Sequence, residues 1–135
     1  MYKEGHLIGN HTYSHLQLSN QNIEQYKQEL IKTNNILKEI TGEETAYVRP
    51  PYGTWDENLE NELNMIPVMW TSDSLDWCTN NENVIVQRVI KDVKENDIIL
   101  MHDYYETSVN AALALIDELL AKGYTFVTIE DIMFD

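Results

Sequence analysis

Two of the chain's four histidines stand four positions apart in GNHTYSH, at His11 and His15. On one helical turn, residues so spaced share a face, and two imidazoles on one face can hold a borderline divalent metal such as zinc at about 2.0–2.1 Å. The same spacing also serves hydrogen bonding around a helix start. A zincin protease is excluded, because that pattern needs Glu directly after the first histidine and Thr12 stands there.

Three more clusters follow. RPPYG, Arg49 to Gly53, sets a guanidinium beside two prolines that fix the backbone and a glycine that permits a tight turn. Such a loop can hold a carboxylate on Arg49 and aim a backbone N–H at the same point, or it can simply lead from a strand to a helix. DSLDW, Asp73 to Trp77, puts two carboxylates beside an aromatic. That set suits a charge tether with a platform for a sugar, and equally a solvated acidic loop. IILMHD drives an apolar run into His102, a strand-end position that serves either catalysis or structure.

The elements that must position these clusters alternate between short β-type runs and longer helical ones. Strands are predicted over 7–10, 45–48, 67–71, 98–102 and 125–128. Helices are predicted over 22–40, where Ile23, Tyr26, Leu30, Ile31, Leu37 and Ile40 recur at helical spacing before Gly42, and over 56–63, 82–94 and 109–121. Repeated βα units favour a parallel sheet with helices outside, open or closed into a barrel, and ligands then gather at the C-terminal strand ends. All four polar clusters fall at such ends. Met1 to Gly5 reads as the last turn of a helix with a glycine stop, so sequence is expected upstream.

Composition narrows the partners. A length of 135 residues with 43% hydrophobic content suits one folded domain, or a large part of one. With 23 acidic against 9 basic residues the formal charge is −14, which repels nucleic acid and anionic lipid. No apolar run approaches the roughly 20 residues of a membrane span. Cys78 is the single cysteine, so an internal disulfide and a cysteine-rich zinc site are both excluded.

The order and wording of HTYSH, RPPYG, DSLDW and LMH resemble the polysaccharide deacetylases, carbohydrate esterase family 4, whose shared unit is the NodB-homology domain. The resemblance implies metal-assisted hydrolysis of N-acetyl groups on an amino-sugar polymer, peptidoglycan or chitin-like. It implies His11 and His15 as ligands of a divalent metal, usually zinc, with cobalt or nickel as alternatives. It implies Arg49 as the residue orienting the catalytic base, the Tyr52 N–H as an oxyanion donor, His102 as general acid and Asp76 as the tether that stabilises its imidazolium. Trp77 and Leu100 would form the acetyl pocket, with Pro51 and Tyr52 also lining the substrate.

One departure stands against these agreements. The family's Thr-Phe-Asp-Asp type motif, source of the catalytic base and the third metal ligand, has no counterpart in this chain. By the family's layout, residues 1–135 are then the C-terminal portion of one NodB-homology domain, an incomplete distorted (β/α) barrel of about five βα units without its first two strands. Expected consequences are weakened metal binding, little or no activity, and homo-oligomers through exposed barrel edges. The alternatives are a non-catalytic carbohydrate-binding or assembly module, and an enzyme completed by another chain or by Asp73 or Asp103. Family substrates place such a protein in the cell envelope or outside the cell.

Overall fold

The apolar periodicity after Asn22 forms α1, Ile23–Thr41, which ends where Gly42 takes the left-handed conformation (φ 82°). Its Tyr26 and Leu30 are fully buried with Leu18, Val48, Leu59 and Met65. Burying side chains of this size stabilises by about 1.5–3 kcal/mol each, enough to fix the helix against its neighbours. The computed structural model describes residues 1–133, and the chain divides into two compact units, Met1–Met69 and Trp70–Asp135.

In the first unit a 3₁₀ turn at Tyr2–Glu4 stops at a left-handed Gly5. After α1 come β1 (Tyr47–Val48), a 3₁₀ turn at Pro51–Gly53, α2 (Asn58–Leu63) and β2 (Ile66–Pro67). β1 and β2 pair in parallel, Tyr47 opposite Ile66 and Val48 opposite Pro67, with α2 as the crossover that parallel strands require. Asn10 joins them through a single parallel bridge to Val48.

The second unit repeats the scheme. β3 (Ser72–Asp73) leads through a 3₁₀ turn at Asp76–Cys78 to α3 (Glu82–Asp92), which Asn81 caps by accepting from the Val84 N–H at 3.2 Å. β4 (Ile99–Leu100) pairs in parallel with β3, and α4 (Glu106–Ala121) and α5 (Ile129–Met133) follow. Ile85, Val86 and Val89 of α3 bury against Ala111 and Leu115 of α4.

The βα alternation is therefore present, but the five-strand sheet is not. The described residues form two two-stranded sheets, and the predicted strand 67–71 divides into β2 at one end and β3 just beyond the other. The strand predicted over 7–10 shrinks to the Asn10 bridge. Residues 125–128 carry no strand, and Phe126 and Val127 are exposed. Their alternation looked like a strand, yet Thr128 instead closes the start of α5 by donating its N–H and hydroxyl to Asp131 Oδ2 at 2.8 and 2.6 Å. α4 begins three residues earlier than its apolar pattern, because the first turn carries the polar Glu106, Thr107 and Ser108. α3 stops at Asp92, where Val93 turns extended.

Candidate active site

In the first unit the segment from His11 to His15 is not helical, which corrects the premise on which the two histidines were paired. It is a loop, and two non-glycine residues, Thr12 (φ 61°) and His15 (φ 60°), take left-handed backbone. Such residues cost about 1–3 kcal/mol each and persist only where neighbours hold them. Asn10, 1% exposed, is the chief restraint. Its side chain accepts from the Thr12 N–H at 2.8 Å and donates to Leu30 O at 2.8 Å and Asn34 Oδ1 at 2.6 Å on α1. Glu29 of the same helix accepts from the Tyr13 and Ser14 N–H groups and the Ser14 hydroxyl, while the Lys32 ammonium lies 3.3 Å over the Tyr13 ring. Burial pushes the Glu29 carboxyl up, but those Ser14 and Tyr13 bonds and the Lys32 charge outweigh it and hold it below its ordinary range.

The loop thus carries the two imidazoles together, ring centroids 4.9 Å apart and edge to face. The Tyr52 ring also lies 4.9 Å from the His15 ring, edge to face. His11 Nδ1 donates to Arg49 O at 2.6 Å, so in the neutral ring Nε2 carries the lone pair a metal would use. Arg49 itself donates from Nε to Val68 O at 3.1 Å, and burial lowers its pKa. Pro50 and Pro51 are buried, whereas Tyr52 is 65% exposed with a left-handed backbone (φ 58°). RPPYG thus leads from β1 toward α2 through buried prolines and projects Tyr52 outward.

The second unit carries a different arrangement. The Asp76 side chain is 0% exposed and binds His102 twice, accepting from the backbone N–H at Oδ2 and from ring Nδ1 at Oδ1, both at 2.8 Å. The imidazole, with its side chain 41% exposed, reaches solvent from this anchor. Burial alone would raise the Asp76 pKa. The two His102 bonds and its charge reverse that, and the buried Ser108 hydroxyl, near Asp76 but outside ideal bonding geometry, adds to the lowering. Trp77 is 58% exposed and Leu100 is buried. Of the proposed stand-in carboxylates, Asp73 uses Oδ1 to accept from the Leu75 N–H at 2.9 Å, and Asp103 is exposed.

Each unit gathers its own predicted residues: His11, His15, Arg49, Pro51 and Tyr52 in the first, Asp76, Trp77, Leu100 and His102 in the second. Sequence reasoning missed Asn10, Glu29, Arg88 and Ser108. Asn10 precedes His11 directly, but nothing local announces a partner 20 residues away. Among the described residues no group of three His, Cys, Asp or Glu is arranged to hold a metal ion, and no helix is long and apolar enough to cross a membrane. The donor set here fits a two-imidazole share of a borderline divalent metal, not the three protein ligands of a catalytic site.

Comparison with known proteins decides the lineage, for a family described as polysaccharide deacetylase matches residues 1–69. The chain belongs to the polysaccharide deacetylase family. A Bacillus subtilis peptidoglycan-N-acetylmuramic acid deacetylase, PdaC, is 35% identical over 98% of the chain, and its solved structure superposes with a TM-score of 0.92. A Bacillus cereus peptidoglycan-N-acetylglucosamine deacetylase is 38% identical over 93% of the chain. A Bacillus anthracis member described as a family pseudoenzyme is 27% identical over 92%, with a TM-score of 0.82. This deacetylase-family chain spans 28% and 48% of the two curated relatives, and 65% and 45% of the two solved chains.

Proposed function

We propose that the chain is the C-terminal portion of a NodB-homology domain, part of a distorted (β/α) barrel, that removes N-acetyl groups from the amino sugars of peptidoglycan or a chitin-like polymer in the cell envelope. The observation that carries this reading is the pair of hydrogen bonds from His102 to buried Asp76. A carboxylate that accepts from both the backbone N–H and Nδ1 of one histidine leaves Nε2 as the nitrogen that can hand a proton to a departing amine.

His11 and His15 would hold the metal, zinc or in its place cobalt or nickel, with the family's missing carboxylate as third ligand. When bound, such an ion polarises an amide carbonyl and makes water nucleophilic near neutral pH. The remaining roles belong to the chain's own groups. The Tyr52 N–H would donate to the oxyanion, Arg49 would orient the catalytic base, and Trp77, Leu100 and Pro51 would seat the acetylated sugar. That both sets serve one substrate rests on the family resemblance and on the order of the motifs.

The test is metal-dependent acetate release from N-acetylglucosamine oligomers by the chain, alone and joined to a family segment bearing the Asp-Asp motif. Turnover by the joined protein, lost in His11→Ala and in His102→Ala, is the expected result. A folded joined protein that binds the oligomer and releases no acetate would contradict it. That outcome is the second reading, a sugar-binding module without turnover, favoured by the pseudoenzyme likeness and the two-ligand metal set. Solution mass recorded alongside reads the proposed association through open strand edges.

A further inference from the structure

We propose that Arg88, on α3, is a positioning residue for the His102–Asp76 pair, acting through the backbone of the loop between β3 and Asp76. The role rests on the reading of that pair as acid and tether, while the physical coupling can be measured without turnover.

The loop is built on a demanding conformation. Leu75, immediately before Asp76, takes left-handed backbone (φ 50°, ψ 36°), a region that side-chain-bearing residues occupy only when their surroundings hold them there. That turn directs the next residue, Asp76, into the interior. Several restraints lie inside the loop: Leu75 N–H donates to Asp73 Oδ1 at 2.9 Å, Asp76 N–H to Ser74 Oγ at 3.3 Å, and Cys78 N–H to Leu75 O at 3.1 Å. These bonds travel with the loop, whose place is set from outside, in part by the Ser74 N–H donating to Leu100 O of β4 at 3.3 Å.

Arg88 comes from outside it. Its Nη1 donates to Ser74 O at 2.7 Å and to Leu75 O at 3.2 Å, two consecutive carbonyls at the left-handed turn. α3 is itself fixed, since Ile85, Val86 and Val89 flank Arg88 and bury against α4. α4 in turn presents Ser108, one of the groups that favour ionised Asp76. The side-chain grip on the backbone beside the tether thus comes from α3, through Arg88. A charge-assisted bond to the backbone is among the stronger restraints a side chain can supply.

The test is the ring Nδ1 proton of His102 in ¹⁵N-labelled chain, a resonance that exists as a resolved, slowly exchanging signal only while Asp76 accepts it. We expect it in the unaltered chain and its loss in Arg88→Ala, with circular dichroism and the α3–α4 methyl shifts unchanged. Arg88→Lys, whose ammonium can donate to both carbonyls, retains it. Leu75→Gly combined with Arg88→Ala restores it, because glycine adopts the left-handed turn without restraint. Should Arg88→Ala alone fail to fold, recovery of fold and signal in that combined variant supports the proposal, and no recovery overturns it. A full-strength signal in folded Arg88→Ala also overturns it while leaving the functional reading intact. Absence of the signal from the unaltered chain would remove the pair itself, and both readings with it.

Discussion

The two units solve the same problem, presenting imidazole to solvent, in opposite ways. The first places His11 and His15 on a strained loop pinned to α1 by Asn10 and by the Glu29 carboxylate, with a backbone carbonyl accepting from the His11 ring. The second anchors His102 to a buried carboxylate. The carbonyl orients the His11 ring through Nδ1 alone, whereas the buried carboxylate fixes His102 through both its ring and its backbone. On the proposed reading, these partners separate a ligand histidine from an acid histidine where residue type alone cannot.

Breaking the anchor should have the largest effect. Asp76→Ala or His102→Ala is expected to lower acetate release by the joined protein about 10²–10⁴-fold, measured as kcat, the usual contribution of a positioned acid. Asn10→Ala strikes the other unit. It removes a buried group that bridges loop and helix, and is expected to destabilise by about 2–3 kcal/mol in denaturant unfolding and to abolish pairwise zinc binding by His11 and His15.

Acid and base should separate the units further. Asp76 has a depressed pKa, so its stabilisation is complete above the ordinary carboxylate range and is lost as pH falls below about 4. Tyr26 is pushed up to about 12 by burial, so its contribution is present below pH 10 and is lost as pH rises from there through 12. Residue-resolved hydrogen exchange should show the second unit opening first on acidification and the first unit opening first at high pH. The smallest effect belongs to Glu29→Gln, which keeps an acceptor for Ser14 and Tyr13 on a half-buried residue; a loss of about 0.5–1 kcal/mol is expected in thermal unfolding.

Much of this was legible in the sequence because its signals are local. α1 could be read from apolar spacing and Gly42, and each chemical cluster from adjacent residues. Family membership followed from four ordered motifs and is borne out. The strands were read too generously, since alternation reports which faces are apolar, while a strand exists only where a neighbour supplies its hydrogen bonds; residues 125–128 show the difference. The supports were invisible for the same reason. Asn10 to Leu30, Arg88 to Ser74 and Asp76 to His102 are bonds across 20, 14 and 26 residues, and of these only the last was implied by the family resemblance.

The division between ligand and acid is tested most directly by titrating zinc into ¹⁵N-histidine-labelled chain. The account predicts that the Nε2 resonances of His11 and His15 move together with one apparent affinity, that both responses vanish in His11→Ala, and that the His102 Nδ1 proton stays bound to Asp76 throughout. Independent responses of His11 and His15, or zinc capturing His102 before either, would contradict it.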